Sequence, residues 1–322
     1  MTECETKIGL FLLTRESSHQ LASQRAAEEA AARHGVPIEV SFADNLAVQQ
    51  AQNIVQFSHA NSKGRTCVIL MPMADIESSP DALDAHPLHK LARRVAARGI
   101  GWILLNRDGR GQVAALHKEF PAIPVALVTP DQHEFGRVQG RQFRALLPRG
   151  GRILYVLGDT VASSARDRRK GMREIMGSDS AFSIEEVDGL WSRKESREVV
   201  AKRLSHASHR GDWPHLIGCQ NDAMAMGARD ALADAARLYK APSLLEVPVT
   251  GGDGLPDEGQ KWVKERKLAA TVVAPLTTAV AVDSVVRSWR TGVPMPLLTK
   301  LDVASLPAVE ALRPALRQPQ IA

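Results

Sequence analysis

The sequence predicts an α/β protein built from two doubly wound, mainly parallel sheets. Three observations carry that reading. Short apolar runs alternate with amphipathic stretches of ten or more residues, which is the mark of βαβ units. The alternation restarts near residue 150. No Gly/Ser-rich or Pro-rich linker separates the two runs, so the domains are expected to be joined by several short crossings rather than by one tether.

Taken in order, residues 8–13 form a short apolar strand. An Ala- and Glu-rich helix over 18–34 ends in Arg33 and His34, with Gly35 at the left-handed cap. A strand at 38–42, a helix at 46–61 and a strand at 66–71 follow. A polar, proline-containing loop over 74–87 leads to a helix at 88–98, Gly99 and a strand at 102–105, and a further strand lies at 124–128. In the second run, helices fall at 132–147, 162–176, 193–208, 221–237, 256–266 and 277–290. Strands fall at 152–157, 182–187, 215–219, 246–251 and 269–273. Ligands of such sheets are expected at the carboxyl ends of the strands.

Composition narrows the function. The chain has 322 residues, 44% hydrophobic and 24% charged, which excludes disorder, collagen and a coiled-coil rod. A net charge of +5 is too thin for a nucleic-acid partner, and no apolar run reaches the ~18 residues of a membrane span. Acidic Glu3 and Glu5 precede the first apolar run, which stops at Thr14-Arg15-Glu16. The run therefore reads as a strand rather than an export signal. As the sequence stands, the expected location is cytoplasmic, or periplasmic if an export signal was removed. Cys4, Cys67 and Cys219 are scattered without a CxxC, so neither a disulfide framework nor a zinc site is expected, and Cys67 and Cys219 read as buried thiols.

The motifs of catalysis are missing. No GxGxxG follows the first strand, Gly251-Gly252-Asp253-Gly254 lacks the third glycine, and neither GxxxxGK[ST] nor GxSxG occurs. The pairs His86/His89 and His206/His209 have helical spacing but no third ligand, and read as solvated helix faces. Asp131 and Glu134 read as a helix start. No metal and no cofactor is expected. Instead, polar groups cluster just after strands: Asn106-Arg107-Asp108, Asp131, residues 163–166, Asn221-Asp222 and Asp253.

The second half resembles a known family. Ser163-Ser164-Ala165-Arg166-Asp167-Arg168-Arg169-Lys170-Gly171, after a strand and Gly158, is similar to the type I periplasmic binding proteins, in particular their ribose-binding-like sugar branch. Gln220-Asn221-Asp222-Ala223-Met224-Ala225-Met226-Gly227-Ala228 resembles that branch's QND-x-MA-x-GA segment. Gly251-Gly252-Asp253-Gly254 and Lys267-Leu268-Ala269-Ala270-Thr271-Val272 follow in the family's order, as do Asn106-Arg107 and Asp131…Gly136…Gly140. The likeness covers about residues 7–300, and these six fragments in register make it specific.

The resemblance implies two lobes joined by a three-crossover hinge, one at 1–128 plus 275–303, the other at 129–274 plus 304–322. The ligand would lie between them and drive closure. It also implies a non-catalytic binder of a small polar ligand of sugar, polyol or sugar-acid type. The partner would be the permease of a carbohydrate ABC importer or, in the alternative of a cytoplasmic sensor, a regulator or kinase. Only seven residues precede Ile8, so a DNA-binding module of its own is not expected. Carried over by motif, Arg166 is the guanidinium donor, Asn221 a side-chain amide, Asp253 a carboxylate acceptor and Arg107 the basic residue ending a first-lobe strand. Asn106 replaces the family's usual aspartate, and Trp191 falls where an aromatic stacks on the sugar. Arg168, Arg169 and Lys170 read as a solvated face. Where ribose binders have Asn and two phenylalanines, this chain has Arg15-Glu16-Ser17-Ser18-His19. That departure predicts one stacking wall rather than two, with Arg15 or His19 contributing to a larger, more polar or acidic ligand.

Overall fold

The computed structural model describes residues 6–61, 64–76 and 79–314. Cys4 and the other residues before Thr6 lie outside the described residues, as does the tail from 315. In chain order the elements are β1 (Thr6–Leu12), α1 (Ser18–His34), β2 (Ile38–Phe42), α2 (Ala47–Ala60), β3 (Arg65–Leu70), α3 (Pro80–Ala85), α4 (Pro87–Ala96), β4 (Gly101–Leu105), α5 (Arg110–Glu119) and β5 (Val125–Pro130). They continue with α6 (Gln132–Leu146), β6 (Gly151–Leu157), α7 (Ser163–Met176), β7 (Phe182–Asp188), α8 (Arg193–Ser208), β8 (Leu216–Cys219), α9 (Asp222–Leu238) and β9 (Val249–Asp253). The last are α10 (Lys261–Lys264), β10 (Ala270–Val273), α11 (Thr277–Thr291), β11 (Leu298–Leu301) and β12 (Ala304–Leu306).

Two compact units result. The first ends at Pro130 and resumes over Leu276–Leu301; the second spans Asp131–Pro275 and resumes at Asp302, so the chain passes between units three times. The first unit's sheet has the order β11-β5-β4-β3-β1-β2, all parallel. The second has the order β12-β10-β9-β8-β6-β7, parallel except for the antiparallel edge strand β12. In each sheet the order reverses beside the opening strand, and the carboxyl ends there form the natural ligand crevice of a doubly wound sheet.

Period-two alternation divides each strand between two cores. In the first unit Ile8, Leu10 and Leu12 meet Ala27, Ala30 and Ala31 of α1 and Val282, Val285 and Val286 of α11. On the other face Phe11, Val68, Leu70 and Trp102 meet Ile54 and Phe57 of α2, Val95 of α4 and Val113 and Leu116 of α5. In the second unit Leu154, Val156 and Ile217 pack with α8 and α9, while Ile153, Tyr155 and Leu216 pack with Phe143, Met172 and Met176. Residues buried on both faces explain why the strands read as continuous apolar runs.

Gly35 closes α1 in the left-handed conformation (φ 68°), as its position predicts. Asp131 caps α6 by accepting from the Glu134 backbone N–H at 3.1 Å. Several elements differ from the sequence reading. Helix α5 was not anticipated because Gly109 and Gly111 flank its start; burial of Gln112, Val113 and Leu116 overrides that local cost. Residues 80–85 of the expected loop form α3, and 256–260 form a π-type turn before the four-residue α10. Strands β11 and β12 are too short to show a period. His206 and His209 are exposed, but His89 is buried, so its expected solvated face is corrected: burial lowers its pKa, while His86 caps α4. Cys67 and Cys219 are buried free thiols. Among the described residues no helix is long and apolar enough to cross a membrane.

Candidate functional site

In the second unit Asn221, Asp253 and Trp191 gather near one sheet end, with Arg168 beside them. Arg166 lies on the exposed face of α7, and its guanidinium donates to the backbone carbonyls of Thr160 and Val161. Arg168, expected on a solvated face, is instead 6% exposed. Its Nε donates to Gln132 Oε1 at 2.7 Å and its Nη1 to the Gln220 carbonyl at 2.5 Å. The guanidinium stands over the Phe135 ring, 3.7 Å from the centroid, and 5.3 Å from that of Trp191. Asp253 Oδ1 lies 3.8 Å from Arg168 Nη1. That separation is too long for a hydrogen bond, so the two opposite charges face each other with donor and acceptor capacity to spare. Burial draws the Arg168 pKa below the usual guanidinium value, with Asp253 opposing, and the group remains cationic.

Trp191 follows β7 in the left-handed region (φ 62°) and packs against Gly158 at the end of β6, where an added Cβ would lie 2.2 Å from the indole. Asn221 caps α9: its Oδ1 accepts from the Met224 backbone N–H at 2.8 Å, and its Nδ2 donates to the Trp191 carbonyl at 3.2 Å. One amide hydrogen is left over. Behind Arg168 a buried polar network fixes the backdrop. Gln220 Oε1 accepts from the Gly158 N–H, Gln220 Nε2 donates to Tyr155 Oη and the Ala165 carbonyl, and Tyr155 donates to Gln139. A forked cation, a carboxylate, an amide and an indole at one sheet end are the groups that bind vicinal hydroxyls and an apolar C–H face.

In the first unit, Arg15 is exposed after β1 and its guanidinium lies 4.2 Å from the Phe42 ring centroid. His19 is half-buried in the first turn of α1. Asn106 follows β4 at φ 62° with a buried Oδ1 that has no hydrogen-bond partner among the described residues. Arg107 comes next. Asp108 binds Arg110, which holds its carboxyl below the usual range, and its backbone N–H donates to Asp75. Gln20 and Gln50, which the sequence did not single out, bind Met71 after β3.

Residues 8–282 match a known family, the periplasmic binding protein domain. The chain belongs to this family. Among curated proteins, it is 24% identical over 254 residues to a putative rhizopine-binding protein of Rhizobium meliloti, covering 78% of this chain and 70% of that one. It is 30% identical over 175 residues to the D-allose-binding periplasmic protein of Escherichia coli, spanning 53% of this chain and 52% of that protein. Among solved structures, the periplasmic solute-binding protein of an ABC transporter from Actinobacillus succinogenes with bound D-allose superposes with a TM-score of 0.77 at 18% identity, covering 93% of this chain and 96% of the other. The myo-inositol-binding protein of Caulobacter gives 0.72 at 23% identity, with 94% and 93% covered. These likenesses show the periplasmic binding protein fold, with its two parallel-sheet α/β units.

Proposed function

We propose that this protein binds a sugar or polyol reversibly, without chemical conversion, as the substrate-binding component of a carbohydrate ABC importer. The observation that carries the reading is the Arg168–Asp253 pair beside the Trp191 indole. The guanidinium supplies a forked donor, Asp253 an acceptor, Trp191 an apolar face and Asn221 a further donor. Arg15, His19, Asn106 and Arg107 are the ligand contacts proposed for the first unit, Asn106 through the unpartnered Oδ1. Arg166, whose guanidinium is spent on its own loop, belongs to the rim rather than to the sugar. The names of the relatives support a carbohydrate-like ligand and an ABC permease as partner.

The test is a thermal-shift panel of D-allose, myo-inositol, L-arabinose, D-fructose and matched sugar acids, followed by calorimetric titration and recovery of the unchanged sugar. A ligand at a hundred times its Kd adds about 2.7 kcal/mol, enough to raise Tm by about 5 °C or more for units of this size. A flat response across the panel, or conversion of the sugar, overturns the reading. A permease and ATPase encoded beside the gene are expected for the importer; their replacement by a kinase or regulator favours the sensor.

A further inference from the structure

Asp222 is a buried carboxyl that the ligand-facing groups do not use. It opens α9 and is 2% exposed. Its Oδ2 accepts from the Gly254 backbone N–H at 2.8 Å and its Oδ1 accepts from the Thr271 hydroxyl at 2.7 Å. The space around it is shaped for two oxygens and nothing larger. A Cβ on Gly251 would lie 2.2 Å from Oδ1, and one on Gly259 would lie 2.0 Å from Oδ2. What it grips is half of a left-handed pair: Asp253 has φ 89° and Gly254 φ 62°. A non-glycine residue in that region persists only where its surroundings over-determine it. Here the Gly254 peptides are held at both ends, since Gln260 Nε2 donates to the Gly254 carbonyl at 2.8 Å and the Ala274 N–H donates to the Asp253 carbonyl at 3.2 Å.

We propose that Asp222 is a positioning residue, anchoring the Gly254 N–H so that the Asp253–Gly254 turn presents the Asp253 carboxylate to Arg168 and to a bound sugar. This deepens the binding function proposed above and rests on it for the ligand. Charge balance agrees with the geometry. Burial, with Asp253 adding to it, pushes the Asp222 carboxyl well above the usual range, and Asp253 acts on the Arg168 cation more strongly than Asp222 does. An amide meets the same two partners as a neutral carboxyl: its oxygen takes the Gly254 N–H, and its nitrogen donates to the Thr271 oxygen.

The experiment compares wild type, Asp222→Asn and Asp222→Ala as full chains by residue-resolved amide hydrogen exchange without sugar. It then titrates each with D-allose and with myo-inositol. Asp222→Ala is expected to speed exchange at Gly254 by about tenfold or more while the strands of β6 and β8 stay protected. Asp222→Asn is expected to stay within about threefold of wild type, both in exchange at Gly254 and in affinity. Unchanged exchange at Gly254 in Asp222→Ala, or damage in Asp222→Asn equal to that in the alanine variant, overturns the proposal. If Asp222→Ala does not fold, Thr271→Val decides: the loosened carboxyl raises exchange at Gly254 selectively, and a uniform rise across the second unit counts against the anchor. Wild type binding neither sugar counts against the binding function, while exchange at Gly254 still decides the anchor.

Discussion

The indole of Trp191 rests against Gly158, with no room for even a methyl group between ring and backbone. The end of β6 therefore sets the position of the aromatic face.

Gly158→Ala is expected to displace the indole and to cost about 1–3 kcal/mol through overpacking. Thermal unfolding reads the cost. Intrinsic fluorescence, with Trp191→Phe as reference, should show a changed emission for Trp191, and sugar affinity should fall. Unaltered emission and stability would show that the ring relaxes freely.

Arg168→Ala removes the donor to Gln132 and Gln220 and the cation facing Asp253, leaving buried polar groups unmatched. The expected loss is about 3–5 kcal/mol of stability, together with sugar binding. Arg166→Ala, on the exposed face, should cost less than about 1 kcal/mol. Denaturant unfolding of the two variants side by side checks the contrast; equal effects would overturn it.

That contrast marks where the sequence was legible and where it was not. Strand ends were readable because buried runs stop abruptly at polar residues, which placed Asn106, Asn221 and Asp253 correctly at sheet ends. The choice between Arg166 and Arg168 depended on helical phase. Arg168, Gly171, Met172 and Met176 share the buried face of α7 at spacings of three and four, a signal present in the sequence but overshadowed by the basic run around it. Phe135 and Gln132 reach Arg168 from α6, and nothing local announces a contact made across more than thirty residues. Asp222 is visible in the sequence as a polar residue after a strand and as part of a motif, but its contact with Gly254 depends on that turn folding back onto α9.

The pH dependence of stability carries the signature of Asp222. Arg168, Asp253 and Glu258 are the charged groups that act on it or with it, and its carboxyl stays protonated above the usual aspartate value of about 3.9. Across that window the native state binds more protons than the unfolded chain, so stability falls as pH rises. Asp222→Asn lacks the effect. The stability of wild type minus that of the variant should therefore decline by about 1.4 kcal/mol per pH unit from about pH 4 up to the raised value, and be level outside it. Urea unfolding of both proteins at a series of pH values checks the slope; a parallel pair of curves would mean that Asp222 titrates normally.

Helices α6 and α7 approach so closely that a Cβ on Gly171 would lie 1.9 Å from the His133 carbonyl oxygen. Gly171→Ala must separate them and, with them, move Arg168 away from Phe135 and Gln132. The expected cost is about 1–3 kcal/mol, with loss of sugar binding exceeding that of a surface alanine substitution. Calorimetric unfolding and titration measure the two effects separately.

The return of the chain to its first unit has a consequence for biosynthesis. Val282, Val285 and Val286 of α11 lie in the same core as β1 and α1, and β11 is the edge strand beside β5. When only residues up to 275 have been made, every strand of the second sheet except β12 exists, yet the first sheet still lacks its edge strand and the part of one face's cover that α11 supplies. The half translated first is completed only after almost all of the other has been made, and until then its apolar valines and leucines are open to the quality-control machinery that meets nascent chains.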